Sequence, residues 1–130
     1  MRNFKQQEQK VWFTRITEKN IGIDKVKVYA KPFMKELPVS ATSGTPDEVA
    51  AGIVPNYDRY ITSYKKLDVQ EGDMCFVDVE PQLDASGELV TTDDYIPVTP
   101  PDYRIVKLLV TQKGFVFRYG ISRIGGNGNG

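Results

Sequence analysis

The sequence predicts an all-β fold, a small β-barrel or sandwich with two long excursions at about 38–55 and 80–101. Three observations predict it. Short runs of β-branched and aromatic residues alternate with polar ones, Gly and Pro turns punctuate these runs, and no stretch sustains a helical period. The 130 residues fit one domain, read as a β-barrel-like unit over 1–124 with a disordered Gly/Asn tail at 125–130. An apolar content of 40%, with 11 glycines besides, lies in the globular range.

Taken in order, 11–17 reads as a first strand with Trp12, Thr14 and Ile16 on one face. Lys19, Asn20, Ile21 and Gly22 supply a turn, and 25–30 alternates lysine with Val26 and Val28, as a half-buried strand does. The connection 38–55 holds Ser, Gly and Pro and allows one helical turn at most, at 46–51. In 56–64, Tyr60, Thr62 and Tyr64 share one face, with Arg59, Ile61 and Ser63 on the other. Glu71, Gly72 and Asp73 form a turn before 74–79, the most apolar strand up to that point. Asp84 to Gly87 suits a hairpin turn, with Gly87 placed for positive φ. Segments 103–110 and 115–124 make the clearest antiparallel hairpin, joined through 111–114, where Gly114 takes the positive φ. The expected core comprises Trp12, Phe13, Ile16, Val26, Val28, Ile61, Met74, Phe76, Val77, Ile105, Val106, Leu108, Val110, Val116, Phe117 and Ile121. Neither excursion carries an apolar stripe to anchor it, so both are expected to extend from the barrel and to be ordered by neighbouring subunits.

Composition removes several function classes. Seventeen basic residues balance seventeen acidic ones, which argues against nucleic-acid or membrane-surface binding through net charge. No apolar run approaches the roughly 18 residues of a membrane span, and the first residues do not read as a signal peptide. With no histidine, the commonest general base, the Ser-His and Cys-His pairs and the HExxH zinc motif are all missing. The one cysteine, Cys75, sits in an apolar run as a core residue and allows neither an internal disulfide nor a multi-Cys zinc site.

Charge is distributed in blocks. Residues 1–35 carry nine basic against three acidic side chains, 78–102 carry seven acidic and no basic, and 103–130 carry five basic and no acidic. Such blocks suit surfaces that meet partners in a fixed polarity, although an acidic loop is as often simply solvated. The acidic run lacks the ladder of a calcium loop, and no Gly-Lys-Ser/Thr opens a helix as in a phosphate loop. Two acids can always be found among seventeen, so paired-carboxylate glycoside chemistry gains no support. Phe115, Phe117, Arg118, Tyr119 and Arg123 have the composition of a single-strand nucleic-acid platform. The commoner reading of that alternation is core on one side and ion-paired surface on the other. The residues alone therefore describe an all-β non-enzyme with an acidic excursion and no cofactor.

Four short motifs occur in a recognisable order: Asn56 to Tyr60 (NYDRY), Gln70 to Asp78 (QEGDMCFVD), Asp102 to Lys107 (DYRIVK) and Tyr119 to Ile124 (YGISRI). In this order and spacing, over roughly 10–124, the chain resembles the head-closure, or stopper, proteins of the head–tail connector of long-tailed phages. Residues 81–101 depart from that pattern, being longer than the usual link between the last two motifs. The resemblance implies a small β-barrel assembling as a homo-oligomeric ring of six or twelve subunits. The ring would lie below the portal and adaptor in the virion neck, be assembled in the host cytoplasm, close the channel over packaged DNA and receive the tail. Portal, adaptor and tail proteins are the implied partners, with DNA a non-specific neighbour and no membrane. Candidate channel or inter-subunit residues are Asp84, Glu88, Asp93 and Asp94 on one excursion and Ser40, Thr42, Ser43 and Thr45 on the other. Arg59, Arg104, Arg118 and Arg123 are candidate interface cations. A tail-terminator or tail-completion protein, or an OB- or SH3-like module for nucleic acid or peptide, are the alternative classes.

Overall fold

The computed structural model describes residues 8–109 and 116–124. Its strands are β1 (Glu8–Thr14), β2 (Ile16–Ile21), β3 (Asp24–Tyr29), β4 (Phe33–Pro38), β5 (Arg59–Ser63), β6 (Met74–Phe76), β7 (Tyr103–Leu109) and β8 (Phe117–Arg123). One helix, α1 (Pro46–Ala51), lies between β4 and β5. The fold is all-β. Six strands form one antiparallel sheet in the order β4-β1-β6-β7-β8-β5, and β2 and β3 form a separate two-stranded ribbon.

The first four strands are one long hairpin bent in the middle. Glu8 to Phe13 pair with Pro38 to Phe33, and beyond the bend Ile16 to Ile21 pair with Tyr29 to Asp24. Pro32 has no N–H to donate, so the ladder breaks there. The joint is held by the Ala30 N–H donating to the Arg15 carbonyl (2.8 Å) and the Thr14 hydroxyl donating to the Ala30 carbonyl (2.6 Å). The expected first strand thus straddles two sheets. The hairpin loop is Gly22–Ile23, and Lys19 to Ile21, expected as a turn, belong to β2.

The six-stranded sheet curls until the residue after β4 reaches β5. Val39 bridges Ile61, and the Ser40 N–H donates to the Tyr60 carbonyl at 2.9 Å. That contact is a single bridge rather than a ladder, so the barrel does not close and the architecture is sandwich-like. Between β4 and the 63–68 segment the seam opens into a groove of about 680 Å³.

The core is built from Val11, Phe13, Leu37, Ile61, Leu67, Cys75, Val77, Tyr103, Ile105, Tyr119 and Ile121, and Phe76 is also fully buried. Of the expected core, Phe13, Ile61, Phe76, Val77, Ile105 and Ile121 are buried, and Phe117 packs against the cluster. Trp12, Ile16, Val26, Val28, Met74, Val106 and Val116 are only half-buried, Leu108 is exposed, and Val110 lies outside the described residues. Strand phase explains the first departures. Side chains alternate every residue, and β1 turns Val11 and Phe13 inward rather than Trp12. In β7 an irregularity between Ile105 and Lys107 interrupts the alternation, leaving Val106 at the bulge.

The hairpin of β7 and β8 is antiparallel, from Tyr103 opposite Arg123 to Leu109 opposite Arg118. Its turn, including Gly114, and the 125–130 tail lie outside the described residues.

Both excursions are anchored, contrary to expectation. In 38–55, α1 is a six-residue helix, longer than a single turn, with a full capping box at its start. Residues 80–101 form nested turns bridged at Leu83–Leu89 and Thr91–Pro97 and joined by Val90 and Val98 N–H bonds to the Gln82 and Val90 carbonyls. Pro81, Leu89, Pro97 and Pro101 are buried. The Asp84 to Gly87 turn is as expected, with Gly87 at φ +83° and its N–H bonded to the Asp84 carbonyl at 3.0 Å. A Cβ on Gly87 would meet the Lys31 side chain at 3.2 Å, so the excursion lies back beside the bend of the long hairpin. It is ordered by its own turns and prolines, which sequence periodicity does not register.

Candidate functional site

Three surfaces carry chemistry not consumed by the fold. The first is the β2–β3 ribbon. None of its residues enters the core cluster, and Ile23 at its tip is 100% exposed. Its root is fixed by Arg15, whose Nε and Nη2 donate to the two carboxylate oxygens of buried Asp73 at 2.9 and 3.1 Å. Asp73 is itself held in the turn before β6, where its carboxylate accepts the Gln70 N–H. A hydrogen bond from Arg15 to Asp73 and the charge of that carboxylate raise the Arg15 pKa further. The ribbon is therefore aimed, yet uncovered.

The second surface is the acidic excursion. Asp84 accepts the Ser86 and Glu88 N–H groups at 2.8 and 3.0 Å, so it shapes its own turn. Glu88, Asp93 and Asp94 are exposed, without an ion-pair partner among the described residues. Asp78 and Asp102, at the ends of the acidic block, are structural. Asp102 accepts the Val77 and Asp78 N–H groups, both at 2.8 Å, and Asp78 pairs with Arg59 at 3.0 Å.

The third surface follows β4, and the structure divides its four sequence candidates. Ser40 is buried at the seam, where its hydroxyl accepts the Tyr60 N–H and donates to the Thr42 carbonyl. Thr45 is the buried N-cap of α1. Only Thr42 is exposed, and Ser43 is half-buried. Sequence reasoning missed the apolar residues beside them: Val49, Ile53 and Val54 are 70%, 50% and 88% exposed. The Ile-Val pair before Pro55 was the available signal.

This segment is pinned by Tyr57. Its hydroxyl donates to the Glu48 carboxylate in a short hydrogen bond and accepts the Gly44 N–H. Burial pushes the Glu48 carboxyl up, but hydrogen bonds with Tyr57 and Thr45 and the charge of Lys107 outweigh it and leave the pKa below its ordinary value. Burial and the adjoining Glu48 push the Tyr57 hydroxyl up to about 12.

The four arginines also separate. Arg59 donates to the Ser40 carbonyl at 2.7 Å, to Asp78 and to the Tyr103 hydroxyl, and Arg123 donates to the same hydroxyl at 2.8 Å. Burial lowers the Arg59 pKa, but Tyr103 and Asp78 more than offset it. These two cations clamp fully buried Tyr103 and tie β5, β7 and β8 to the start of the acidic block. Arg118 lies over the Tyr60 ring at 5.9 Å, with its Nε buried and unpartnered. Arg104 is exposed on β7, with no side-chain partner among the described residues.

Cys75 is fully buried in the core, and burial, with Asp102 and Asp73 nearby, pushes its thiol up, so the side chain serves packing. Among the described residues no three His, Cys, Asp or Glu side chains group to hold a metal, and no helix is long and apolar enough to cross a membrane. No protein-family model, curated protein or solved structure matches the chain.

Proposed function

We propose that this chain is a structural subunit of a tailed-phage head–tail connector, forming a ring below the portal and adaptor that closes the DNA channel and joins the tail. The observation that carries the reading is the β2–β3 ribbon, fixed at its root by Arg15 and Asp73 and displaying Ile23 to solvent. An isolated two-stranded ribbon is marginal in water. Its root is held within the chain by Arg15 and Asp73, and a cover from another subunit would bury its bare tip. The exposed Val49, Ile53 and Val54 make a second apolar surface of the same kind. Exposed Asp84 and Glu88 suit a passage for DNA, because carboxylates repel phosphates and let the duplex slide without sticking. The four sequence motifs add their order and spacing.

Mass spectrometry of purified virions, combined with deletion of the gene, tests the proposal. The protein is expected in the virion, and deletion is expected to give heads that lose DNA and do not join tails. Particles that keep their DNA and join tails normally without it overturn the reading. Tight binding of single-stranded nucleic acid by the isolated chain would point instead to an OB-like binding module.

A further inference from the structure

Two outward features created by the tertiary structure match in chemistry. One is the groove at the open seam. β4 pairs with β1 on one side only, so its other edge lines the groove opposite 63–68. Lys35, Lys65 and Lys66 stand around it with Phe33, Met34 and Tyr64, all of them exposed. Glu36 and Asp68 share the lining, which still leaves it net positive, and none of the three lysines has an ion pair among the described residues.

The other feature is the outer turn of the acidic excursion. The Tyr95 N–H donates to the Thr92 carbonyl at 3.0 Å and the Thr92 N–H to the Ile96 carbonyl at 2.8 Å, which closes a tight loop over Asp93 and Asp94. Tyr95 is held at φ +65°, the only non-glycine residue with positive φ among the described residues. Such a pose in an aromatic residue is strained, and strain of this kind gathers at contact sites. The loop presents Asp93 and Asp94 beside Tyr95 and Ile96, 39% and 54% exposed, with no basic residue between 78 and 102.

We propose that the 92–96 turn of one copy docks in the β4 groove of a second copy. Tyr95 and Ile96 enter among Phe33, Met34 and Tyr64, while Asp93 and Asp94 face Lys65 and Lys66. Aromatic anchors framed by complementary charge are what a specific interface needs at its centre and rim. The contact joins two different patches, so repeating it builds a ring if the rotation closes. The inference rests on the reading of the chain as a ring subunit and names the surfaces that meet.

Disulfide trapping captures even a weak contact, and buried Cys75 does not interfere with it. Purified Lys66→Cys and Asp94→Cys proteins are mixed and oxidised. The mixed dimer is expected about tenfold faster than when Asp94→Cys is paired with a control, Lys27→Cys, on the ribbon. Reversal by Lys65→Glu with Lys66→Glu on a Lys35→Cys protein abolishes its cross-linking to the Asp94→Cys protein. Adding Asp93→Lys to the Asp94→Cys partner restores it. Equal rates at the control position, or indifference to charge reversal, overturn the pairing. If virions carry the protein and the cross-link fails, the pairing falls and the connector reading stands. A specific cross-link in a protein absent from virions keeps the pairing and removes the connector reading.

Discussion

At the residue scale, Tyr57 does most to turn a loop-like sequence into fixed structure. Its ring lies against β8 at Gly120, where an added Cβ would come within 3.0 Å of the ring. Gly120 is needed there for close approach. Gly120→Ala is expected to destabilise the fold by about 1–3 kcal/mol, because the ring is clamped by Glu48 and has little room to shift. A lower midpoint in urea at unchanged slope checks this. Tyr57→Phe removes the donor to Glu48, and the pH profile of stability is the discriminating measurement. The Glu48 pKa is lowered by folding, so its contribution is present above the ordinary carboxylate pKa and is lost as pH falls through the lowered value. The Tyr57 pKa is raised by folding, so its contribution holds below about 10 and is lost as pH rises towards about 12. Tyr57→Phe should flatten both limbs; an unchanged acid limb would show that the pair does not govern it. The capping box at Thr45 and Glu48 has a local T-x-x-E signature that the sequence reading did not use, and its clamp by Tyr57 and Gly120 joins three separate segments.

At the element scale, the ribbon and the acidic excursion are built differently. The ribbon depends on its root. Asp73→Asn leaves the core untouched while removing the charge opposite Arg15, and faster amide exchange in 16–29 than in β7 and β8 is the expected result. Equal protection of the ribbon would show that the ion pair does not aim it. The excursion depends on its own packing. Replacing 83–90 by a short Gly-Ser loop removes buried Leu89 and the bonded Asp84 turn, and should cost about 2–3 kcal/mol rather than nothing. Thermal melting against the parent chain measures it. The Gly87 turn was legible because four adjacent residues determine it. The anchoring by Leu89, Pro81, Pro97 and Pro101 was not, because isolated apolar residues and prolines make no periodic stripe.

At the scale of the whole molecule, charge segregation and an open seam are the features that would set how copies meet in the proposed ring. With net charge zero, attraction between copies in the proposed ring would come from opposed blocks, and such surface attraction is screened beyond about 10 Å at 0.1 M salt. Self-association is therefore expected to weaken as sodium chloride rises from about 0.05 to 0.5 M, as measured by light scattering at fixed protein concentration. Association that strengthens with salt would mean that Ile23, Val49 and Val54 dominate instead. The seam itself depends on long-range order: β6, only three residues long, lies between β1 and β7 and carries the sheet across.

By itself the sequence determined what neighbours in the chain determine: β-structure throughout, the turns at Gly72 and Gly87, the β7–β8 pairing and the burial of Cys75. These follow from backbone preference and from composition over a few residues. Only the tertiary structure decided which face of β1 is core, where the long hairpin bends, and that Arg59 and Arg123 clamp Tyr103 rather than standing free. A strand's phase is set by the partner it pairs with, and a one-residue change exchanges its faces. β1 has two such partners, β4 about twenty-five residues along the chain and β6 about sixty, both beyond the reach of a local pattern.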